Sequence, residues 1–172
     1  IIGYGNMGGA FAKKLSGFDV HVIAYDKYKE NFSDNFVNEV PLDYLQEHAD
    51  IISLHVPQTH ETIYMLNDAF LDKCKKGIII INTARGKVVN TADLVKHMKS
   101  GKVLGVALDV IEYENFNFQD FLTEDMPEAF KYLTTSDRAI LTPHIAGWTV
   151  ESKYKLSSIL AEKISKHLHS IK

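Results

Sequence analysis

The sequence predicts an α/β fold, a doubly wound parallel sheet with helices on both faces, and three observations predict it. The chain opens with a strand, a glycine-rich turn and a helix. Apolar runs of strand length then alternate with amphipathic stretches of helical period. The composition, 45% hydrophobic and 24% charged over 172 residues, is ordinary for a single globular domain. Strands that alternate with helices pair in parallel and are covered on both faces.

The opening turn has the form G-x-G-x-x-G, with glycines at Gly3, Gly5 and Gly8. Gly3 permits the tight turn off the strand, Gly5 leaves room for a pyrophosphate, and Gly8 lets the next helix pack close to the sheet. The amides at the start of that helix then face the phosphates. Glycines also serve ordinary turns, so the motif depends on its context. Here the flanking strand and helix indicate a Rossmann-type dinucleotide site.

The second strand, 20–25, ends at Asp26, about 20 residues beyond the motif. The helix between them has Met7, Phe11 and Leu15 on one face. An acid at this distance is placed to accept both hydroxyls of the adenosine ribose, and it would repel a 2′-phosphate. Asp26 therefore favours NAD over NADP, with a solvated loop carboxylate as the alternative.

The remaining elements follow from periodicity and from glycine stops. We predict helices at 41–48, 61–73 and 91–100, a helix near Pro127, strands at 51–55, 78–82, 103–108 and 140–141, and a long helix capped by Thr149. That last helix carries an apolar stripe of Val150, Tyr154, Leu160, Ile164, Leu168 and Ile171.

Charge and cysteine content narrow the classes of function. A net charge of −3 gives no reason to expect nucleic acid or an anionic membrane as a partner. No apolar run reaches membrane-spanning length. The single cysteine, Cys74, excludes an internal disulfide and suits a cytoplasmic protein. We expect exposed histidines at His21, His48, His60 and His97, and no metal site.

In such a sheet, ligands bind beyond the carboxyl ends of the strands. An arginine, a glutamate and a histidine follow three successive strands there, namely Arg85, Glu114 and His144. Histidine suits proton transfer near neutral pH, a carboxylate beside it would orient the imidazole, and arginine offers a planar donor fork to an anionic substrate. Each residue alone also has a purely structural interpretation. Arg85 could be a surface ion-pair partner, Glu114 a loop carboxylate, and His144 a buried histidine that closes a turn. Together they indicate redox chemistry at a hydroxy acid.

These residues lie in segments that resemble the NAD-binding domain of the D-isomer-specific 2-hydroxyacid dehydrogenases. The matching segments are GYGNMG (3–8), HVPQTHETIYMLN (55–67), INTARGKVVNTADLVKHMKSGKVLGVALDVIEYE (81–114) and TPHIAG (142–147). The resemblance implies hydride transfer between NAD(H) and a small D-2-hydroxy acid or 2-oxo acid.

The resemblance also implies residue roles. Arg85 binds the substrate carboxylate and carbonyl, His144 is the proton donor, and Glu114 pairs with His144. Asp109 holds the nicotinamide carboxamide. The other cofactor contacts are Gly3, Gly5, Asn6, Met7, Gly8, Asp26, Val56, Pro57, Thr62, Thr83, Ala84 and Arg85. Glu112 competes for the glutamate role, but the family's acid lies five positions beyond the aspartate that matches Asp109, which selects Glu114.

The resemblance implies a domain organisation as well. We expect residues 1–148 to form the NAD-binding domain, and 149–172 to form a helix that returns toward a substrate domain whose N-terminal part this chain lacks, since it has no initiator Met. A fragment of this kind should bind NAD but turn over poorly, and a homodimer is expected. Two alternatives stay open, a non-catalytic NAD-sensing module of the corepressor kind and another NAD enzyme, such as a formate dehydrogenase or a hydrolase using bound NAD. The sequence does not specify which 2-hydroxy acid is used.

Overall fold

The computed structural model describes residues 1–74, 77–113 and 126–170. In chain order, its elements are α1 (Asn6–Leu15), β1 (Ile23–Ala24), β2 (Asn38–Glu39), α2 (Leu42–His48), β3 (Ile51–Leu54), α3 (Asp68–Lys73), β4 (Ile78–Asn82), a 3₁₀ turn (Gly86–Val88), α4 (Thr91–Lys99), β5 (Val103–Leu108), α5 (Glu128–Thr135), β6 (Ala139–Leu141) and α6 (Val150–Ser170).

The strands pair in parallel, as predicted. β3, β4, β5 and β6 are neighbours in that order, and β1 pairs with β2. Ile2 connects the two groups, because it pairs with Tyr25 directly after β1 and with Leu54 at the end of β3. The order across the sheet is therefore β2, β1, Ile2, β3, β4, β5, β6. From Ile2 the chain continues outward to β1 and β2 on one side of the sheet, and then crosses to β3, β4, β5 and β6 on the other side. This reversal of direction at Ile2 is the topological switch point, where open α/β sheets bind ligands.

Helices flank both faces of the sheet, because successive residues of a strand point to opposite sides. Ile2 belongs to the main core, which is formed with residues of α2, α3, α4 and α5 such as Leu45, Phe70, Leu94 and Leu133. Ile1 faces the other way and packs in a smaller cluster with Ala12 of α1. The doubly wound arrangement is thus confirmed.

One predicted helix, 61–73, is shorter than expected and begins only at Asp68. Tyr64 has a φ of +53°, which a right-handed helix does not accept. Leu66 instead pairs with Val89, and the Asn67 side chain accepts a hydrogen bond from the Phe70 amide and caps α3. The prediction was wrong because the apolar residues before Asn67 serve pairing with another segment.

The last helix, α6, is capped as predicted, since Thr149 Oγ1 accepts a hydrogen bond of 3.0 Å from the Ser152 amide. No residue of α6 is buried, and its apolar residues Val150, Tyr154, Leu160, Ile164 and Leu168 are exposed. Ile171, the last member of the predicted stripe, lies outside the described residues. Within the described part of the chain, no helix combines the length and the apolar character needed to cross a membrane.

Two glycines of the opening turn are required by close packing. Gly3 has a φ of +92°, and a Cβ there would lie 2.6 Å from the carbonyl oxygen of His55. A Cβ at Gly8 would lie 2.0 Å from the carbonyl oxygen of Gly3. The backbone of α1 at Gly8 therefore packs directly against the backbone of the turn at Gly3, with no room for a side chain between them. Gly9, one residue later, would place its Cβ only in ordinary contact, 3.8 Å from the Tyr4 ring.

We predict that Gly8→Ala destabilises the fold by about 1–3 kcal/mol or more, because the new methyl group collides with backbone that cannot rotate away. Gly9→Ala in the same helix is the matched control. It should be neutral or stabilising by up to about 1 kcal/mol, through the better helix propensity of alanine. Urea unfolding of both variants measures the difference, and equal effects would contradict this packing.

Candidate functional site

The strands end in register at one edge of the sheet. Leu54 of β3 pairs with Asn82 of β4, Asn82 pairs with Leu108 of β5, and Leu108 pairs with Leu141 of β6. The residues that follow, His55, Thr83, Asp109 and Thr142, therefore start at the same level, and Gly3 and Asp26 follow the Ile2–Tyr25 pair. This register brings the sequence-predicted segments to a single edge.

The glycine turn leaves that edge open beside the start of α1. Gly5, Asn6 and Met7 are exposed, and no atom lies within 4 Å of where a Cβ at Gly5 would stand. Met7 was expected on the apolar face of α1 and is instead 71% exposed. Gly5 is the N-cap of α1 and, being glycine, makes no side-chain cap to the amides of the first turn. Uncapped amides at a helix start can receive an anion such as a phosphate.

Asp26 is half-buried and organises the neighbouring loops. Its Oδ2 accepts from the Tyr4 amide at 2.7 Å, and its Oδ1 accepts from the amides of Tyr28 and Lys29 at 2.9 and 3.1 Å. Lys29 Nζ donates in turn to the Tyr4 carbonyl at 2.7 Å. An ionised carboxyl group accepts about four hydrogen bonds, so Asp26 keeps capacity for a further donor. Asp26 is therefore bonded to the backbone of the neighbouring loops, and one of its acceptor positions stays open.

The loop after β3 is closed by a hydroxyl group. Thr62 Oγ1 donates to the Pro57 carbonyl at 2.6 Å and accepts from the Thr59 amide at 2.8 Å. His55 is half-buried next to Ser53, whose Oγ lies 2.9 Å from His55 Nε2, and burial lowers its pKa to about 4. His55 is therefore neutral at physiological pH and packs at the strand end, with Val56 half-buried beside it.

Asn82, which sequence reasoning missed, shapes the loop that carries Arg85. This asparagine is fully buried, its Oδ1 accepts from the Ala84 amide at 3.0 Å, and its Nδ2 donates to the Arg85 carbonyl at 3.0 Å. Thr83 and Arg85 are exposed at the edge, and Ala84 is buried. The Arg85 guanidinium donates to the Ala84 carbonyl at 2.6 Å. A polar residue that ends an otherwise apolar strand was the signal that could have revealed Asn82.

Asp109 holds the loop that carries His144. Its Oδ1 accepts from Thr142 Oγ1 at 2.6 Å and from the Ile145 amide at 2.9 Å, and its Oδ2 accepts from the Ala146 amide at 3.0 Å. The His144 amide donates to the Asp109 carbonyl at 2.9 Å. The backbone of His144 is left-handed, with a φ of +54°, and its side chain is exposed. A loop-anchoring role for Asp109 was missed from sequence.

The electrostatics of Asp109 follow from these contacts. Burial alone would raise the pKa of this carboxyl group. The hydrogen bonds from Thr142, Ala146 and Ile145 outweigh burial and, with the nearby His144, hold the pKa of Asp109 below its ordinary value. The carboxylate is therefore ionised at neutral pH.

Of the two candidate glutamates, the structure describes only Glu112. Glu114 lies outside the described residues. Glu112 is half-buried and is used within the fold, because Tyr64 Oη donates to one carboxylate oxygen and the Thr91 amide donates to the other at 3.1 Å. Both carboxylate oxygens of Glu112 are thus bonded within the fold.

A carboxylate–histidine cluster lies away from this edge, between α3 and α4. His97, expected to be exposed, is buried, and its Nε2 lies 2.7 Å from Asp68 Oδ1 and 3.9 Å from Asp72 Oδ1. The expectation failed because α4 turns this residue toward α3. Lys96 Nζ also lies 2.7 Å from Asp68 Oδ1, and both partners lower the pKa of Asp68. These contacts connect α3 to α4, so the cluster has a structural explanation within the fold.

Comparison with known proteins gives the following likenesses. The sequence profile of the family described as "D-isomer specific 2-hydroxyacid dehydrogenase, NAD binding domain" matches residues 1–146. A glyoxylate reductase from Thermofilum pendens is 39% identical over 167 residues, covering 95% of this chain and 46% of that protein. A D-lactate dehydrogenase from Staphylococcus aureus is 37% identical over 158 residues, covering 91% of this chain and 48% of that protein. The chain thus spans about half the length of these relatives.

A solved structure shows the same fold. D-lactate dehydrogenase from Aquifex aeolicus, complexed with NAD and lactic acid, matches with a TM-score of 0.83 and 33% identity, covering 98% of this chain and 52% of that one.

We predict that Asp109→Asn costs about 1–3 kcal/mol of unfolding free energy at pH 7, since an amide cannot accept three hydrogen bonds in the same way. The difference from the wild type should shrink as the pH falls from about 5 to about 2. A carboxylate whose pKa is lowered on folding stabilises the fold above its unfolded pKa, near 4, and this contribution is lost as the pH falls through the folded pKa.

Urea unfolding at pH 7, 5, 4 and 3 measures this difference. Thr142→Val, which removes one donor to the same carboxylate, should act in the same direction with a smaller effect. A gap between wild type and Asp109→Asn that stays constant over the whole range would contradict the anchoring role.

Proposed function

The chain belongs to the D-isomer specific 2-hydroxyacid dehydrogenase family, whose NAD-binding domain it forms, and we propose that its protein is an NAD-dependent oxidoreductase acting on a small D-2-hydroxy acid or 2-oxo acid. The observation that carries this proposal is the common level at which β4, β5 and β6 end. Arg85, Asp109 and His144 follow neighbouring strands at that edge, beside the switch point next to Ile2.

The residues at the edge suit the dinucleotide. The open backbone at Gly5 and the uncapped start of α1 fit a pyrophosphate. Asp26 would accept a hydrogen bond from a hydroxyl of the adenosine ribose at the acceptor position that the three backbone amides leave open. Asp109 would accept one from the nicotinamide carboxamide. The remaining contacts would come from Gly3, Asn6, Met7, Gly8, Val56, Pro57, Thr62, Thr83, Ala84 and Arg85. When bound, NADH supplies the hydride that reduces the substrate carbonyl carbon.

The chain's own side chains would handle charge and protons. Arg85 binds the substrate carboxylate through its planar donor fork and polarises the carbonyl oxygen. His144, as the imidazolium, donates a proton to that oxygen as the alcohol forms, and in the oxidation direction it takes the proton back. Glu114 orients the imidazole and favours its charged form. Support for the placement of His144 comes from Asp109, which fixes its loop through four hydrogen bonds.

We further propose that residues 1–148 are the NAD-binding domain and that 149–172 return toward a substrate domain built with sequence outside this chain. Two observations support this division. The chain covers 46% and 48% of two relatives, and α6 exposes all of its apolar residues. We also propose that the protein is cytoplasmic and that it forms a homodimer. Analytical ultracentrifugation would test the homodimer.

The 172-residue chain is predicted to bind NADH at least about tenfold more tightly than NADPH, because Asp26 repels a 2′-phosphate. A tenfold ratio corresponds to about 1.4 kcal/mol. Quenching of cofactor or protein fluorescence in parallel titrations measures both dissociation constants. Asp26→Asn, which removes the charge, should lower this ratio. Asp19→Asn, which removes a carboxylate from the exposed segment before β1, is its control and should leave the ratio unchanged. Equal or tighter binding of NADPH would contradict the role given to Asp26.

The full-length protein is predicted to oxidise NADH with at least one acid from a panel of 2-oxo acids, whereas the 172-residue chain alone turns over poorly. His144→Ala should lower kcat by about 10²- to 10⁴-fold through loss of the proton donor. Arg85→Lys should raise KM for the 2-oxo acid, since lysine cannot make the paired contact.

His144→Ala should bind NADH within about twofold of the wild type, because His144 is not among the proposed cofactor contacts. His21→Ala, at the opposite edge of the sheet before β1, is the control for histidine loss and should keep full activity. A full-length protein that binds NADH but turns over no 2-oxo acid would instead favour a non-catalytic NAD-sensing module. Robust turnover by the 172-residue chain alone would overturn the proposed division into domains.

A further inference from the structure

A hydrogen-bonded bridge connects segments that follow three different strands. Tyr64 lies in the segment after β3, and its hydroxyl donates to Glu112, which lies after β5. The other carboxylate oxygen of Glu112 accepts from the amide of Thr91, the first residue of α4, at 3.1 Å. All three residues are buried or half-buried. We call the side-chain contact the Tyr64–Glu112 bridge.

The backbone around Tyr64 is bonded to the segment that directly follows Arg85. The Tyr64 amide donates to the Lys87 carbonyl at 2.8 Å, and the Leu66 amide donates to the Val88 carbonyl at 3.1 Å. On its other side, this segment touches the exit of β5, since a Cβ at Gly86 would lie 1.9 Å from the Ile111 carbonyl oxygen. The segments 64–66, 86–88 and 111–112 therefore contact one another in a closed ring, and the Tyr64–Glu112 bridge is the contact between the first and the third. The middle segment starts at Gly86, directly after Arg85.

The conformation and ionisation of Tyr64 support a specific role for its hydroxyl. Its backbone is left-handed, with a φ of +53°, a conformation that side chains such as tyrosine adopt rarely and that persists only where surrounding contacts require it. The hydrogen bond to Glu112, together with burial, raises the pKa of Tyr64. The tyrosine thus stays protonated and donates, and Glu112 accepts.

We infer that the Tyr64–Glu112 bridge positions Arg85 for its substrate, so that Tyr64 and Glu112 are positioning residues of the reaction. This inference rests on the proposed function. Asn82 holds the Arg85 carbonyl from one side, and the bonded segment Gly86–Val88 holds the chain from the other. A paired contact between guanidinium and carboxylate tolerates little displacement. Loosening the second support should therefore weaken substrate binding more than cofactor binding.

The test uses steady-state kinetics of the full-length protein with the best 2-oxo acid of the panel. Tyr64→Phe removes only the bridging hydroxyl, and it should raise KM for the acid at least tenfold. We expect kcat to fall no more than about threefold, and the dissociation constant of NADH to stay within twofold. Tyr44→Phe is the matched control. It removes a hydroxyl from α2, where Tyr44 stacks on His48, and should leave all three quantities unchanged.

Variants of the acceptor separate positioning from general stability. Glu112→Ala should raise KM at least as much as Tyr64→Phe, and Glu112→Gln, which keeps an acceptor oxygen, should recover part of the loss. The double variant Tyr64→Phe with Glu112→Ala should match Glu112→Ala alone, because the two side chains act as one unit. A purely structural role would lower the unfolding midpoint and leave KM unchanged.

The possible failures are distinguishable. An active wild type whose KM is unaffected by Tyr64→Phe overturns the bridge and leaves the proposed function standing. A wild type that binds NADH but reduces no 2-oxo acid overturns the proposed function and, with it, the role of Tyr64 and Glu112.

Discussion

The parallel pairing that ends β3, β4, β5 and β6 at one level is the constraint on which the candidate site depends. Leu54, Asn82, Leu108 and Leu141 are paired across four strands, so each loop leaves the sheet at the same edge. Residues far apart in the sequence, such as His55 and His144, which are 89 positions apart, are thereby carried on loops that leave the sheet at the same edge. A shift of one residue in any pair would turn every side chain of that strand to the other face and move its loop.

Polar side chains in the interior fix the arrangement of the loops at that edge. Asn82 and Asp109 are buried and bond backbone amides of the loops that carry Arg85 and His144. Glu112 is half-buried and bonds the amide of Thr91 at the start of α4. Such groups are stable in a low-dielectric interior only when their hydrogen bonds are satisfied, so they resist displacement. The exposed side chains of Arg85 and His144 are consequently carried on loops that the interior holds in place, which is the arrangement that preorganised chemistry requires.

Much of the fold could be predicted because local and global signals agree. The glycine motif and the apolar run at 78–82 each have a single structural interpretation once strands and helices alternate. The 61–73 helix failed at Tyr64, since a left-handed residue leaves no trace in periodicity. The burial of His97 and the anchoring role of Asp109 depend on which loop or helix packs against them. That information belongs to tertiary contacts, not to spacing. Glu114 was preferred to Glu112 by family resemblance, and it lies outside the described residues.

A crystal structure of the full-length protein with NADH and oxamate, an unreactive analogue of a 2-oxo acid, would test directly whether the substrate binds at the edge where the strands end. We expect the Arg85 guanidinium to pair with the oxamate carboxylate, and an imidazole nitrogen of His144 to lie within about 3 Å of the carbonyl oxygen. An oxamate molecule bound elsewhere, or a side chain of Arg85 or His144 turned away from the edge where the strands end, would contradict this expectation.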